Sequence, residues 1–354
     1  MQFSEDQILF IKLCKGLVEI CDRINRGEPA YQIDAAQAFP QPLYEAFQAL
    51  SLKWILEHGE IRHLSTLCMV ESARNSVEEV EPNFSELVDF PDEPLIENKS
   101  RPSDECEAWA SEFAFNLERE QNQSYIPRLM VEIERLSLPY STYTLIRRFI
   151  AENPFPSDFT ITNFIDKNRD VEPVQDLLMQ AYRDAPPQSE SMPLCKVCGG
   201  YLDCAAREIE GCCEALERRV DRVPIEETVI YLIRPSLIEL RLFETLEKIG
   251  KKHDLQVELW PQMDKADLKV TFPTREIWVI DAKDWGSATK LAIKLNQDTI
   301  SDIGQSQSFF VVPDYRWKNL KYQATFRSRY KYKDNIPVLS ESELIKRIRK
   351  EIIK

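Results

Sequence analysis

The chain has 354 residues, 43% of them hydrophobic and 29% charged, a globular balance with room for two or three domains that excludes a disordered or fibrous protein. No run approaches the ~20 apolar residues of a membrane-spanning helix, and the opening MQFSEDQILFIKLCKGL has no basic n-region, so no signal peptide is expected and the expected compartment is cytoplasmic. The net charge of −14 would argue against a polyanionic partner if it were even, but residues 191–354 hold 28 Lys and Arg against 25 acids, leaving 17 against 34 for residues 1–190.

In chain order, residues 3–26 and 41–58 return apolar side chains every three or four positions and predict two helices, with Pro40 and Pro42 at the entry to the second. Residues 78–107 (EEVEPNFSELVDFPDEPLIENKSRPSDECE) are dense in acid and proline and predict a solvated linker or surface excursion. Helical spacing returns at 108–136, 141–152 and 173–183. Residues 141–168 (STYTLIRRFIAENPFPSDFTITNFIDKN) form a helix-turn-helix-like pair. Helix pairs are common and this half is acidic, so no DNA binding is assigned there. APPQSESMP at 185–193 marks a boundary.

Beyond it the texture changes. TVIYLI (228–233) reads as a strand and RPSLIELRLFETLEKIGKKH (234–253) as a helix. LQVELW, DLKVTF and EIWVIDAK are strand-like, SATKLAIKLNQD helical, and SQSFFVVPD and IPVLS are strands before a closing helix, SESELIKRIRKEIIK. The expected fold class is α+β multidomain: an acidic helical domain (1–190), a small cysteine knuckle (191–220) and a mixed α/β domain (221–354).

Along EIWVIDAK, strand alternation points Asp281 and Lys283 to the same side. A short PTR connection makes DLKVTF and EIWVIDAK a hairpin, which brings Asp267 beside Asp281. Two carboxylates converging at a strand end suit Mg²⁺. Lys283 could then orient or deprotonate water, or meet charge on a phosphate. On the 234–253 helix, Ile238, Leu242, Phe243, Leu246 and Ile249 share a face, and Glu239 falls inside that arc. A buried carboxylate needs a metal or an ionic partner. The plainer readings are a strand-start Asp267, a solvated Lys283, and Glu239 paired with Lys283 without metal.

In the order helix Glu, strand Asp, Asp-x-Lys, residues 228–340 resemble the PD-(D/E)xK, or restriction-endonuclease-like, nuclease superfamily. Ala266 stands where many members have proline. The resemblance implies Glu239, Asp267, Asp281 and Lys283 as catalytic residues, with the three acids holding Mg²⁺ or Mn²⁺, and a restriction-endonuclease-like core that cuts DNA or, less often, RNA. The whole arrangement also resembles the restriction-endonuclease-related proteins of prokaryotic PIWI-RE antiphage islands, encoded beside a PIWI-like protein and a DinG-type helicase. That implies a role in antiviral defence and a protein partner, expected on the acidic half.

Nine cysteines include five between positions 195 and 213. In a chain without a secretion signal, that clustering predicts metal binding. PLCKVCGGYLDC opens with a Cys-x2-Cys turn, so Cys195 and Cys198 are expected zinc ligands, with two more from Cys204, Cys212 and Cys213. A redox dithiol is the rival reading. Cys14, Cys21, Cys68 and Cys106 are expected as reduced, buried side chains. The stretch 315–333 (YRWKNLKYQATFRSRYKYK) has seven cations and no acid. Arg316, Lys318, Lys321, Arg327, Arg329 and Lys331 are candidate nucleic-acid contacts among base-stacking aromatics, against a strand pair with an aromatic inner face. The sequence thus predicts a metal-dependent nuclease; a non-catalytic nucleic-acid-binding scaffold, or a zinc-ribbon regulator, are the alternatives.

Overall fold

Five apolar runs between residues 256 and 340 form one mixed sheet in the computed structural model, which describes residues 4–25, 27–31, 38–97, 101–103, 105–110, 125–185, 193–200, 212, 214–331 and 336–353. Its strands are β1 (Gln256–Leu259), β2 (Leu268–Thr271), β3 (Ile277–Ala282), β4 (Gln307–Val312) and β5 (Val338–Ser340), adjacent in that order. β1 to β3 are antiparallel, while β3, β4 and β5 run parallel. The change has a simple cause: a tight turn can only reverse the chain, and the long connections after β3 and β4 can return it to the same end. Phe309 to Val312 of β4 are all buried, as a strand covered on both faces requires.

The chain divides into two compact units: Met1–Glu120 with Trp285–Gln297 and Lys321–Tyr330, and Gln121–Asp284 with Asp298–Leu320 and Lys331–Lys354. The division runs elsewhere than the sequence boundaries near 190 and 220. In the sheet-bearing unit, the helix Arg234–His253 contributes Ile238, Leu242, Leu246 and Ile249 to one core with Leu268, Val270, Trp278, Ile280, Phe309 and Val311. Leu344 and Ile348 of the closing helix Glu341–Ile352 join it. That helix starts with a reciprocal Ser340–Glu343 capping box, a cap worth about 1 kcal/mol. The helix Ser141–Glu152 adds Tyr143, Ile146 and Ile150 to this same core, so residues 125–184 pack with the sheet rather than with the first hundred residues.

One element differs from its sequence reading. TVIYLI is helical: a single wide π-turn over Val229–Ile233 runs directly into the Arg234–His253 helix. Its β-branched residues suit a strand, yet Val229, Leu232 and Ile233 are buried on the helix. Pro235 offers no N–H and its ring crowds the carbonyl one turn back, and the widened turn relieves this.

In the other unit, Glu5–Asn25 packs against Gln41–His58 so closely that a Cβ on Gly16 would lie 2.3 Å from the Cβ of Leu43. Residues 78–107 are not a solvated linker. They include a 3₁₀ turn, Pro82–Glu86, and a short ladder, Ile96–Glu97 with Arg101–Pro102, and they bury Val80, Phe84, Val88, Leu95, Ile96 and Cys106. The acids Glu78, Glu79, Glu86, Asp92 and Glu93 face outward, so bulk composition hid an apolar inner set. Cys14 and Cys21 are also buried, whereas Cys68 is exposed. Among the described residues no helix is long and apolar enough to cross a membrane.

Asp89 caps the helix Ala288–Leu295 of this unit, accepting from Thr289 N at 2.6 Å and Ala288 N at 3.0 Å. Ser287 Oγ and Trp109 Nε1 donate to Glu105 at 2.7 and 3.1 Å. Burial, and then the charge of Asp89, push the Glu105 carboxyl up to about 8. Its proton is therefore bound more tightly folded than unfolded, where the pKa is about 4.3. The stability this contributes is complete below the unfolded pKa and lost as pH rises through about 8. Glu105→Gln is expected to flatten this fall, measured as Tm from about pH 5 to 9.

Candidate functional site

The register of β2 and β3 pairs Leu268 with Ile280, so the next residues outward, Asp267 and Asp281, stand opposite each other at the open end of the hairpin. Asp267 N donates to Ile280 O at 3.2 Å, and Asp267 Oδ2 accepts from Ala282 N at 2.5 Å. The carboxylate is thereby fixed by backbone, with the residue only 8% exposed. Asp281 is partly exposed and accepts from Lys283 Nζ. Lys283 N donates to Val311 O at 2.7 Å, which ties the backbone of the lysine to β4.

Glu239 is 3% exposed, but it is turned to partners other than the two aspartates. Arg147 Nη2 donates to both its oxygens, at 2.8 and 3.1 Å, and Trp260 Nε1 donates to Oε2 at 2.6 Å. Arg147 also pairs through Nη1 with Asp264 Oδ1 and stacks 4.2 Å over the Trp260 ring. Tyr143 OH donates to Asp264 Oδ2 at 3.1 Å. Tyr143, Arg147, Trp260 and Asp264 were missed by the sequence reading. Arg147 was detectable: it lies on the buried face of its helix with Tyr143, Ile146 and Ile150, the same anomaly that singled out Glu239.

The charges of this cluster act on one another. Burial, then Glu239 and Asp281, raise the Asp267 carboxyl well above the usual range. Burial also raises Glu239, against the pull of Arg147. For Lys283, burial lowers the pKa but Asp281 and Asp267 outweigh it, so the amine is held as a cation. Four carboxylates (Glu239, Asp264, Asp267, Asp281) face two cations (Arg147, Lys283). Carboxylate oxygens are the donor type that a hard divalent cation takes, but among the described residues these acids do not bring three ligand atoms together, and only Asp267 and Asp281 face each other at the hairpin end.

Among the described residues, three potential ligand atoms lie within 4.8 Å of one another in one place, at Cys195, Cys198 and Cys212. Cys204 and Cys213 lie outside the described residues. The knuckle is a tight turn in which Cys195 N donates to Gly200 O at 2.7 Å and Cys195 bridges Ala215. Gly199 has φ +76° and a Cβ there would meet Pro224 at 2.5 Å, so glycine is required on both counts. Cys195 Sγ and Cys212 Sγ are 3.5 Å apart. Tetrahedral zinc with bonds of about 2.3 Å sets its sulfurs about 3.8 Å apart, so these thiols fit that ion. Hydrogen bonds from Cys198 and Cys212 lower the Cys195 pKa, favouring its thiolate.

The stretch 315–333 is helical where described, not a strand pair: Asp314–Trp317 and Leu320–Arg329. Its Trp317, Tyr322 and Phe326 are buried and so are withdrawn from base stacking. Arg316 Nε donates to Asp284 Oδ1 at 2.7 Å and its side chain is 9% exposed. Arg329 donates to the carbonyls of Glu86 and Val88, and Lys321 lies 5.2 Å from the Phe90 ring centroid. Lys318, Arg327 and Lys331 have exposed side chains.

Residues 236–354, about a third of the chain, match a restriction-endonuclease family model. The family is described as "REase associating with pPIWI_RE", in agreement with the resemblance read from the sequence. The match covers the core helix from Ser236 onward and all five strands, but neither the cysteine knuckle nor Arg147. No curated protein and no solved structure matches the chain.

Proposed function

We propose that this chain is a metal-dependent nuclease that hydrolyses phosphodiester bonds of DNA, working in antiviral defence with a pPIWI_RE partner. The observation that carries the reading is the facing pair Asp267 and Asp281 with Lys283 held as a cation beside them, inside the segment that matches the endonuclease family. Asp267 and Asp281 would hold Mg²⁺ or Mn²⁺; when bound, such an ion lowers the pKa of attacking water and polarises the phosphoryl oxygen. The Ala282 N–H keeps one oxygen of Asp267 in place. Lys283, being protonated, meets the negative charge that grows on the phosphate rather than taking a proton from water. Zinc at Cys195, Cys198 and Cys212 would be structural, pinning the turn against Pro224. Lys318, Lys321, Arg327 and Lys331 are exposed and are the cations of their stretch proposed to meet phosphate.

The satisfied state of Glu239 favours a second reading, a binding scaffold that keeps the nuclease fold without cutting. The discriminating experiment incubates the full chain, with and without a pPIWI_RE protein, with plasmid DNA, single-stranded DNA and RNA. Cleavage of DNA that needs Mg²⁺ or Mn²⁺ and stops on chelation is expected. Binding of DNA without cleavage under all of these conditions would favour the scaffold.

A further inference from the structure

We infer that Arg147 is a positioning residue of the cleavage centre: it holds Glu239 and Asp264 back from the divalent ion, leaving Asp267 and Asp281 to bind it. The inference rests on the nuclease reading above and deepens it, because the sequence pattern alone offers Glu239 as a third metal ligand.

Three observations lead here. First, Glu239 has little left to give. Its two oxygens take three donor contacts from Arg147 and Trp260, at 2.6 to 3.1 Å. A cation bonded to the same carboxylate would also stand beside the divalent ion and repel it. Second, the loop that supplies the other partners is held in an expensive conformation. Trp260, Gln262, Met263 and Asp264 all have φ between 48° and 66°, the left-handed region that non-glycine residues enter at a cost. Such backbone persists where its surroundings fix it, and here it delivers the Trp260 N–H to Glu239 and the Asp264 carboxylate to Arg147. Third, Arg147 is itself only 3% exposed and serves both acids at once. The planar fork of arginine suits this double role, and an ammonium at that place could not span both acids with the same geometry. Because Arg147 comes from the helix Ser141–Glu152, the working centre extends beyond residues 236–354 into the helical segment that precedes the knuckle.

The test compares Mn²⁺ binding, by titration calorimetry, with steady-state DNA cleavage in the full-length chain and three variants. Glu239→Gln is expected to keep Mn²⁺ affinity within about threefold, whereas Asp267→Asn weakens it by about tenfold or more. Arg147→Lys, which keeps the charge and so the fold, is expected to lower kcat by about tenfold or more with KM and Mn²⁺ affinity within about threefold. A merely structural ion pair would leave kcat of a normally melting Arg147→Lys protein unchanged, and that result would overturn the inference. So would Glu239→Gln weakening Mn²⁺ as much as Asp267→Asn does, since Glu239 would then be a ligand. Failure of the wild type to bind Mn²⁺ would overturn the metal site and this inference with it. Mn²⁺ bound without any cleavage would count against the nuclease reading alone, and the comparison of Glu239→Gln with Asp267→Asn would still decide whether Glu239 is withheld.

Discussion

Asp267→Asn is expected to lower cleavage by about a hundredfold or more, the loss that follows removal of a metal-holding carboxylate, while making the metal-free protein no less stable. The two effects have one origin. Asp267 is buried among Glu239 and Asp281, and its carboxyl is raised well above the ordinary range. A group raised in this way stabilises the fold while protonated, below the unfolded pKa of about 3.9. That contribution is lost as pH rises through the elevated folded pKa, above which the ionised carboxylate stands buried beside Glu239 and Asp281. Asparagine keeps an oxygen for the Ala282 N–H and removes the charge. Thermal melting should therefore show a variant that melts at or above the wild type without metal and gains less from Mg²⁺ than the wild type does. The wild type should gain stability as Mg²⁺ is added, as any ligand bound only by the folded state requires. A variant that lost activity only because it unfolded would contradict this account.

The second large effect concerns the knuckle. Cys195→Ser is expected to release one equivalent of zinc and to destabilise the sheet-bearing unit by at least about 3 kcal/mol, given what structural zinc contributes to small folds. For a unit of this size that is a fall in Tm of about 6 °C or more. The cause is specific: Cys195 and Cys198 are fully buried, in the same hydrophobic core as Leu232 and Ile238 of the core helix. Loss of the ion would leave three thiols within 4.8 Å of one another with nothing to bind them together. Chelation of the wild type should reproduce the variant, and Cys68→Ser, at an exposed cysteine of the other unit, should do neither. Retention of zinc by Cys195→Ser, measured by metal analysis, would contradict the assignment.

Much of this centre could be read in the sequence because it is local. A short turn between DLKVTF and EIWVIDAK leaves little choice of register, and the pairing of Leu268 with Ile280 follows from it. Glu239 was conspicuous for the same kind of reason, since helical periodicity alone put a charge among apolar residues. What was not legible was its partner. Arg147 lies 92 residues earlier, and no short-range rule connects the two, although each was anomalous on its own helix. TVIYLI misled because β-branched composition was weighed without Pro235, whose effect is felt one turn earlier. The basic aromatic stretch misled differently: interleaved cations and rings suggested a binding face, but Trp317, Tyr322 and Phe326 are spent on the core and Arg316 on Asp284. Residues 78–107 show the same limit of composition, since Phe84, Val88 and Leu95 were outnumbered by acids and still folded inward.

The most direct test of the central claim is cleavage of plasmid DNA in Mg²⁺ by the wild type and by Asp281→Ala, under conditions where both proteins melt alike. Asp281 is partly exposed and its described partner is Lys283, so its loss should spare the fold. The account predicts Mg²⁺-dependent cutting by the wild type that falls by about a hundredfold or more in the variant. Equal cutting by both proteins would contradict it, because the phosphodiester would then be broken somewhere other than the open end of the β2–β3 hairpin.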